Sequence, residues 1–230
     1  MKKMLLAGAI GAFILTGCKI DVETKVPLSG LMSEGIKAGN ANLLIEVAAC
    51  NDHKDSRNPS DMLIKVRDAV AKAFPVAVYK ECFRKEFNSY ANFEIPANYG
   101  QGSDAEWAAT KGVRIMSHRA KDGTFSISAG LPEDVRKGLE ASSKEKYKIE
   151  AFKVENVRMH IAFGNDTDQD LKTFAFGTFV QNTPVVGSEL SMRKGATYNF
   201  RLSDVATALT FHVGLGPVGS TSFLTVWPPN

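Results

Sequence analysis

The chain has 230 residues, 28 Lys+Arg against 25 Asp+Glu for a net charge of +3, and is 44% hydrophobic and 23% charged. That composition excludes a disordered polymer and is enough for one good core or two small ones. Lys2 and Lys3 supply part of the excess; without them 26 basic residues face 25 acidic ones, a charge near +1, which argues against a nucleic-acid-binding surface.

The chain opens with Lys2-Lys3 and a mostly apolar run from Met4 to Leu15, the charged and hydrophobic regions of a secretory signal. The run is too short to cross a hydrocarbon core about 30 Å thick. It ends in Leu15-Thr16-Gly17-Cys18, which resembles the lipobox of bacterial lipoprotein precursors. The resemblance implies a signal peptide over 1–17, acylation of Cys18 on sulfur, cleavage before it, and a further acyl chain on its new amine. Each buried methylene contributes about 0.8 kcal/mol, so several chains hold a protein to a bilayer where one does so only marginally. Lys19 follows the lipidated residue; lipoproteins with Asp there resemble those retained in the inner membrane of enteric bacteria. The expected location is therefore the outer membrane, facing the periplasm or the cell surface.

Apart from Cys18 there are two cysteines, Cys50 and Cys82, an even pair in an oxidising compartment and so an expected disulfide. No Cys-x-x-Cys redox spacing is present.

In chain order, Lys19 to Val26 alternates as a strand, and Gly30 to Asn40 reads as a polar, glycine-punctuated connection. Leu43 to Cys50 reads as a second, more buried strand. Asn58, Pro59 and Asp61 then predict a helix start, with Met62, Val66, Ala69, Val70 and Ala73 on one stripe and Pro75 as its stop. Val76 to Pro96 predicts two aromatic-rich strands joined near Asn88-Ser89 and ended by Pro96. Residues 96–112 are the candidate sub-domain joint, containing a Ser103-to-Glu106 capping box and a short helix with Trp107. Asp122-Gly123 marks a hairpin between Val113–Ser117 and Thr124–Ser128. Pro132 to Ser142 predicts a helix with Val135 and Leu139 inward. Tyr147 to Phe163 reads as a strand with a bulge near Asn156, and Phe174, Phe176 and Val180 fall on one face of a returning strand. Turns at Lys194-Gly195 and Gly214–Gly219 precede a final strand from Phe223 to Trp227. The fold class expected is α+β: largely antiparallel sheet, with two or three short helices, in one mature domain over 18–230.

Chemistry-bearing patterns are weak. Gly214-Leu215-Gly216-Pro217-Val218-Gly219 fits a dinucleotide fingerprint in letters, but it holds a Pro and has no helix behind it, so it reads as a turn. Asp166, Asp168 and Asp170 alternate as in a calcium loop, yet Leu171 stands where the sharp-turn Gly belongs and Gly177 where the bidentate Glu belongs. Asp52, His53 and Asp55 offer metal donors, but the segment reads more simply as the approach to a helix. Ser143-Lys144-Glu145-Lys146 and Ser191-Met192-Arg193-Lys194 match Ser-x-x-Lys without the companion elements that penicillin-binding enzymes require. His53, His118, His160 and His212 are scattered singly. The sequence thus offers no catalytic residue, metal site or cofactor site.

The expected function is that of a membrane-anchored, non-enzymatic binding or structural module, whose partners are the lipid bilayer and another envelope protein. A periplasmic hydrolase with a dispersed site is the competing class. Cys18-Lys19-Ile20-Asp21-Val22-Glu23-Thr24 and Asp55-Ser56-Arg57-Asn58-Pro59-Ser60 also resemble uncharacterised lipoproteins of phages and prophages of Gram-negative bacteria. That resemblance implies interference with a host surface receptor, excluding further phage.

Overall fold

A computed structural model of the protein describes residues 19–144, 156–212 and 222–228. Its elements, in order, are β1 (Ile20–Pro27), α1 (Leu28–Met32), β2 (Ile36–Val47), α2 (Asp61–Ala73), β3 (Val78–Lys85), β4 (Asn88–Gly100), α3 (Asp104–Ala109), β5 (Val113–Arg119), β6 (Phe125–Gly130) and α4 (Glu133–Lys144). There follow β7 (Val157–Gly164), β8 (Leu171–Val180), β9 (Thr183–Met192), β10 (Thr197–Leu202), α5 (Asp204–His212) and β11 (Leu224–Val226).

The expectation of an α+β fold is corrected. The strands run β10-β7-β1-β2-β4-β5-β6-β11-β8, and β8 pairs back with β10, so nine strands form a closed β-barrel with a few short helices around it. Two of the pairings, β1–β7 and β4–β5, are parallel. Alternation was legible in strands such as β1, but closure was not. It depends on pairings such as β1 with β7 and β8 with β10, which no local pattern encodes.

The alternation that builds the wall is plain in β1. Ile20, Val22, Thr24 and Val26 are buried, while Asp21, Glu23 and Lys25 line the other face. The inward positions meet in one apolar core, where Phe163 packs edge-on against Phe200 at 5.3 Å and lies 6.1 Å from Phe223. An apolar interior with a charged wall is the reverse of a membrane-spanning barrel, whose lipid-facing band is apolar. Among the described residues no helix is long and apolar enough to cross a membrane.

Two long strands carry two partners on one edge. β4 pairs with β2 along its length, and on its other edge with β3 up to Glu94 and then with β5 from Ala97. Pro96 therefore does not end the strand as the sequence suggested. A Cβ on Gly112 would lie 1.9 Å from the Pro96 carbonyl oxygen, so that carbonyl faces the β5 side. The proline nitrogen faces the same edge, in the gap between β3 and β5, where a missing N–H breaks no ladder. Of the expected joint at 96–112, residues 96–100 belong to β4 and 101–112 form the crossover between neighbouring strands of one barrel, with the predicted capping box at Ser103 and Glu106 and with Trp107 buried.

β8 holds β9 on one edge, while its other edge takes β11 at Thr173–Ala175 and β10 at Thr178–Val180. Between them lies Gly177 at φ 59. Leu171, Thr173 and Ala175 are buried before it, Thr178 and Val180 after it, so the inward phase changes by one residue. Phe174 and Phe176 consequently do not share a face with Val180, contrary to the sequence reading.

The helices cover this barrel. α2 is capped by Ser60, whose hydroxyl accepts from the Leu63 N–H at 3.2 Å and donates to the Ala49 carbonyl at 2.5 Å, in place of the expected Asn58. α2 buries Leu63, Val66, Ala69, Val70 and Ala73 and packs on β2 and α4, while α5 packs against β6, β7, β8 and β10. The stretch from Gly30 to Asn40 read as a connection instead holds the end of α1, whose Leu28 and Leu31 are fully buried, and the start of β2 at Ile36. β7 begins at Val157, and residues 145–155, on which most of the expected strand from Tyr147 and its bulge near Asn156 fall, lie outside the described residues.

Candidate functional site

A cleft of about 590 Å³ lies on the outer wall where β6, β11, β8 and β9 run side by side. Register builds it. Phe125 pairs with Val226, and the Trp227 N–H donates to the Lys172 carbonyl at 3.0 Å, so Thr124, Trp227, Lys172 and Ser191 form one row across four strands. The next row holds Ser126, Thr225, Phe174 and Glu189.

Three carboxylates, Asp122, Asp170 and Glu189, and one cation, Lys172, line the cleft beside the half-buried Trp227. Asp122 accepts from the Thr124 hydroxyl at 2.7 Å and from its N–H at 3.0 Å, and those bonds hold its carboxyl below the ordinary range. Asp170 accepts from the Lys194 N–H at 2.8 Å. The lining is anionic with an indole face, which suits a partner carrying amine or amide donors on an apolar stem. β9 adds a second feature. Its outer edge has no strand partner among the described residues, so its backbone groups are open to pairing.

Of the candidate residues singled out in the sequence, Asp170 lines this cleft and the others lie outside its lining. Cys18 lies outside the described residues, as do the 214–219 glycine pattern and the end of the first Ser-x-x-Lys. Cys50 and Cys82 are joined in a disulfide with a Cα–Cα distance of 5.5 Å. Asp52 accepts from the N–H groups of Lys54 and Asp55, and Asp55 pairs with Arg57 at 2.8 Å, so both carboxylates shape the turn. His53 beside them is exposed, with only a 4.0 Å approach to Asp52. Asp166 accepts from the Ser29 N–H at 2.9 Å and from its hydroxyl, away from the Asp170 bond to Lys194. Ser191 stands on strand β9, where a Ser-x-x-Lys nucleophile would need a helix start. His118 is exposed at the end of β5, and the His212 side chain is outside the described set.

His160 meets Asp21 at 3.3 Å, the sort of pair a hydrolase would use, but on the outer wall across β7 and β1. Neither residue lines the Trp227 cleft. Among the described residues no three His, Cys, Asp or Glu side chains gather as a metal-binding group.

Sequence reasoning missed the Trp227 cleft. Its members come from 122–124, 169–172, 189 and 227–228, separated segments that only the β6–β11–β8–β9 order brings together. The one local trace was Trp227 itself, a large aromatic at the end of a short strand beside two prolines.

Neither the curated proteins nor the solved structures contain a match to this chain. A family model does match, across residues 20–224, nearly all of the described barrel. The chain therefore belongs to the family described as a domain of unknown function, DUF7424.

Proposed function

We propose that the protein is a lipid-anchored envelope protein that works by binding, with the Trp227 cleft and the adjoining β9 edge as its contact surface. The observation that carries the reading is the position of that surface. It combines an anionic, aromatic cleft with an open backbone edge on the outside of a barrel whose interior is filled. An extended segment of another envelope protein can add to β9 through main-chain hydrogen bonds while a basic side chain reaches Glu189 or Asp170. The lipobox supports the anchor, and a lipid at Cys18 raises the effective concentration of the domain near partners in the same envelope, so modest affinity suffices. Lys19 favours the outer membrane.

Crosslinking in cells followed by mass spectrometry tests the reading. Wild-type protein should yield a discrete envelope partner, and Glu189→Lys with Trp227→Ala should lose most of it while the protein level holds. Equal capture by the double variant, or chelator-sensitive turnover of a periplasmic substrate with no partner recovered, would contradict it.

A further inference from the structure

We propose that the tip of the β3–β4 hairpin is a second membrane contact, in which Phe87 enters the phospholipid leaflet that holds the acyl chains of Cys18. The inference rests on the lipid-anchor reading above and adds to it an orientation of the barrel.

Strand register places the tip. The Glu46 N–H donates to the Lys19 carbonyl at 2.9 Å, and Glu46 pairs with Tyr90, which pairs with Phe83. Lys19, Glu46, Tyr90 and Phe83 thus lie on one level across β1, β2, β4 and β3. On the lipid-anchor reading, one residue, Cys18, precedes Lys19 in the mature chain. The hairpin runs on through Ser89–Arg84 and Asn88–Lys85 to the turn residues Glu86 and Phe87. At about 3.3 Å per residue the tip stands roughly 7 Å past the level of Lys19, while one peptide unit spans only about 3.8 Å. Two strand spacings separate β1 from β4, roughly 10 Å. A leaflet that takes the acyl chains of Cys18 therefore meets the hairpin tip.

The chemistry of the tip suits that leaflet. Phe87 is 92% exposed, and it sits in a two-residue turn whose first residue, Glu86, has φ 56. The positive φ falls on Glu86 and not on Phe87, and at that exposure the core gives no reason for an aromatic at the tip. Behind it Phe83 and Tyr90 stack at 6.0 Å, half-buried, at the depth where amphipathic rings occupy a headgroup layer. Arg84 and Lys85 flank the tip as cations for phosphate groups, against the single carboxylate of Glu86. The Cys50–Cys82 disulfide ties β3 to the segment after β2 and holds the ribbon to the barrel.

The test uses the full chain, matured in cells, purified with its lipid and placed in vesicles of phosphatidylethanolamine and phosphatidylglycerol. A photoreactive phenylalanine analogue replaces Phe87, or, as a control, Val186, which is 94% exposed on β9. Intact mass first reads the state of Cys18, and illumination then reads lipid adducts. With Cys18 acylated, position 87 should give about tenfold more phospholipid adduct than position 186, the population ratio expected when burying a phenylalanine drives the contact. Equal adduct at the two positions, or none at 87, overturns the hairpin contact and leaves the anchor standing. An unacylated Cys18 overturns the anchor and this inference with it. Phe87→Ser should keep the far-ultraviolet spectrum of the native fold, as substitution of an exposed side chain does, which separates lipid contact from folding.

Discussion

Ser60 shows what a single side chain contributes here. Its hydroxyl caps α2 and ties the helix start to Ala49, so Ser60→Ala should cost about 1–2 kcal/mol, read as a lowered denaturant midpoint with unchanged slope. Asp166 gives a pH-dependent case. Desolvation acts to raise its pKa, but the Ser29 hydroxyl and N–H bonds outweigh that and leave it below 3.8. A depressed carboxylate stabilises the fold above its unfolded pKa, and that contribution is lost as pH falls through the folded value. Stability should therefore decline below about pH 4, and Asp166→Asn should flatten that part of the acid limb in a pH series of denaturation midpoints. Legibility at this scale followed locality. The Ser103–Glu106 box was readable because both partners lie within one turn of helix. The α2 cap was assigned to Asn58 because Asn-Pro is a strong helix-start pair, whereas Asn58 instead donates its backbone N–H to Asp55 and closes the preceding turn.

Among the elements, β8 decides how the barrel closes. Gly177 supplies the φ of 59 at which its inward face changes phase, and a Cβ there would meet nothing nearer than the Ser203 hydroxyl at 4.0 Å. Gly177→Ala should thus pay for backbone conformation alone, about 1–2 kcal/mol, and Gly177→Asn less, since Asn tolerates the left-handed region. Thermal unfolding of the two variants checks the order. Gly112 contrasts with it, because a side chain there strikes the Pro96 carbonyl as well as meeting a φ of 82. Gly112→Ala should cost about 3 kcal/mol or more and loosen the β4–β5 crossover. The Cys50–Cys82 disulfide closes a sequence separation of 32 residues, and losing it should cost about 3–4 kcal/mol on the chain-entropy estimate. Alkylation of the unreduced, unfolded protein should modify neither cysteine. Strand periodicity and the Asp122-Gly123 hairpin were legible here. The phase change at Gly177 was not, because an isolated glycine in a strand reads equally as a bulge, a close approach or nothing.

For the whole molecule, the step from α+β expectation to closed barrel was the largest change. Alternating strands such as β1 and β7 fit an open sheet as well as a ring, and closure rests on non-local pairings such as Phe200 with Val180. The same non-locality hid the Trp227 cleft, whereas the β3–β4 hairpin, expected from the local pattern with its turn near Asn88-Ser89, is present and turns at Glu86-Phe87. The barrel's first strand starts at Ile20, so acyl chains on Cys18 would hold the fold on a very short tether. The central claim is therefore the lipid on Cys18, and the mass of the N-terminal peptide released from membrane-purified protein tests it most directly. The account predicts a peptide beginning at Cys18 that carries acyl chains on sulfur and amine, and none in Cys18→Ala. A peptide beginning elsewhere, or an unmodified Cys18, would contradict it.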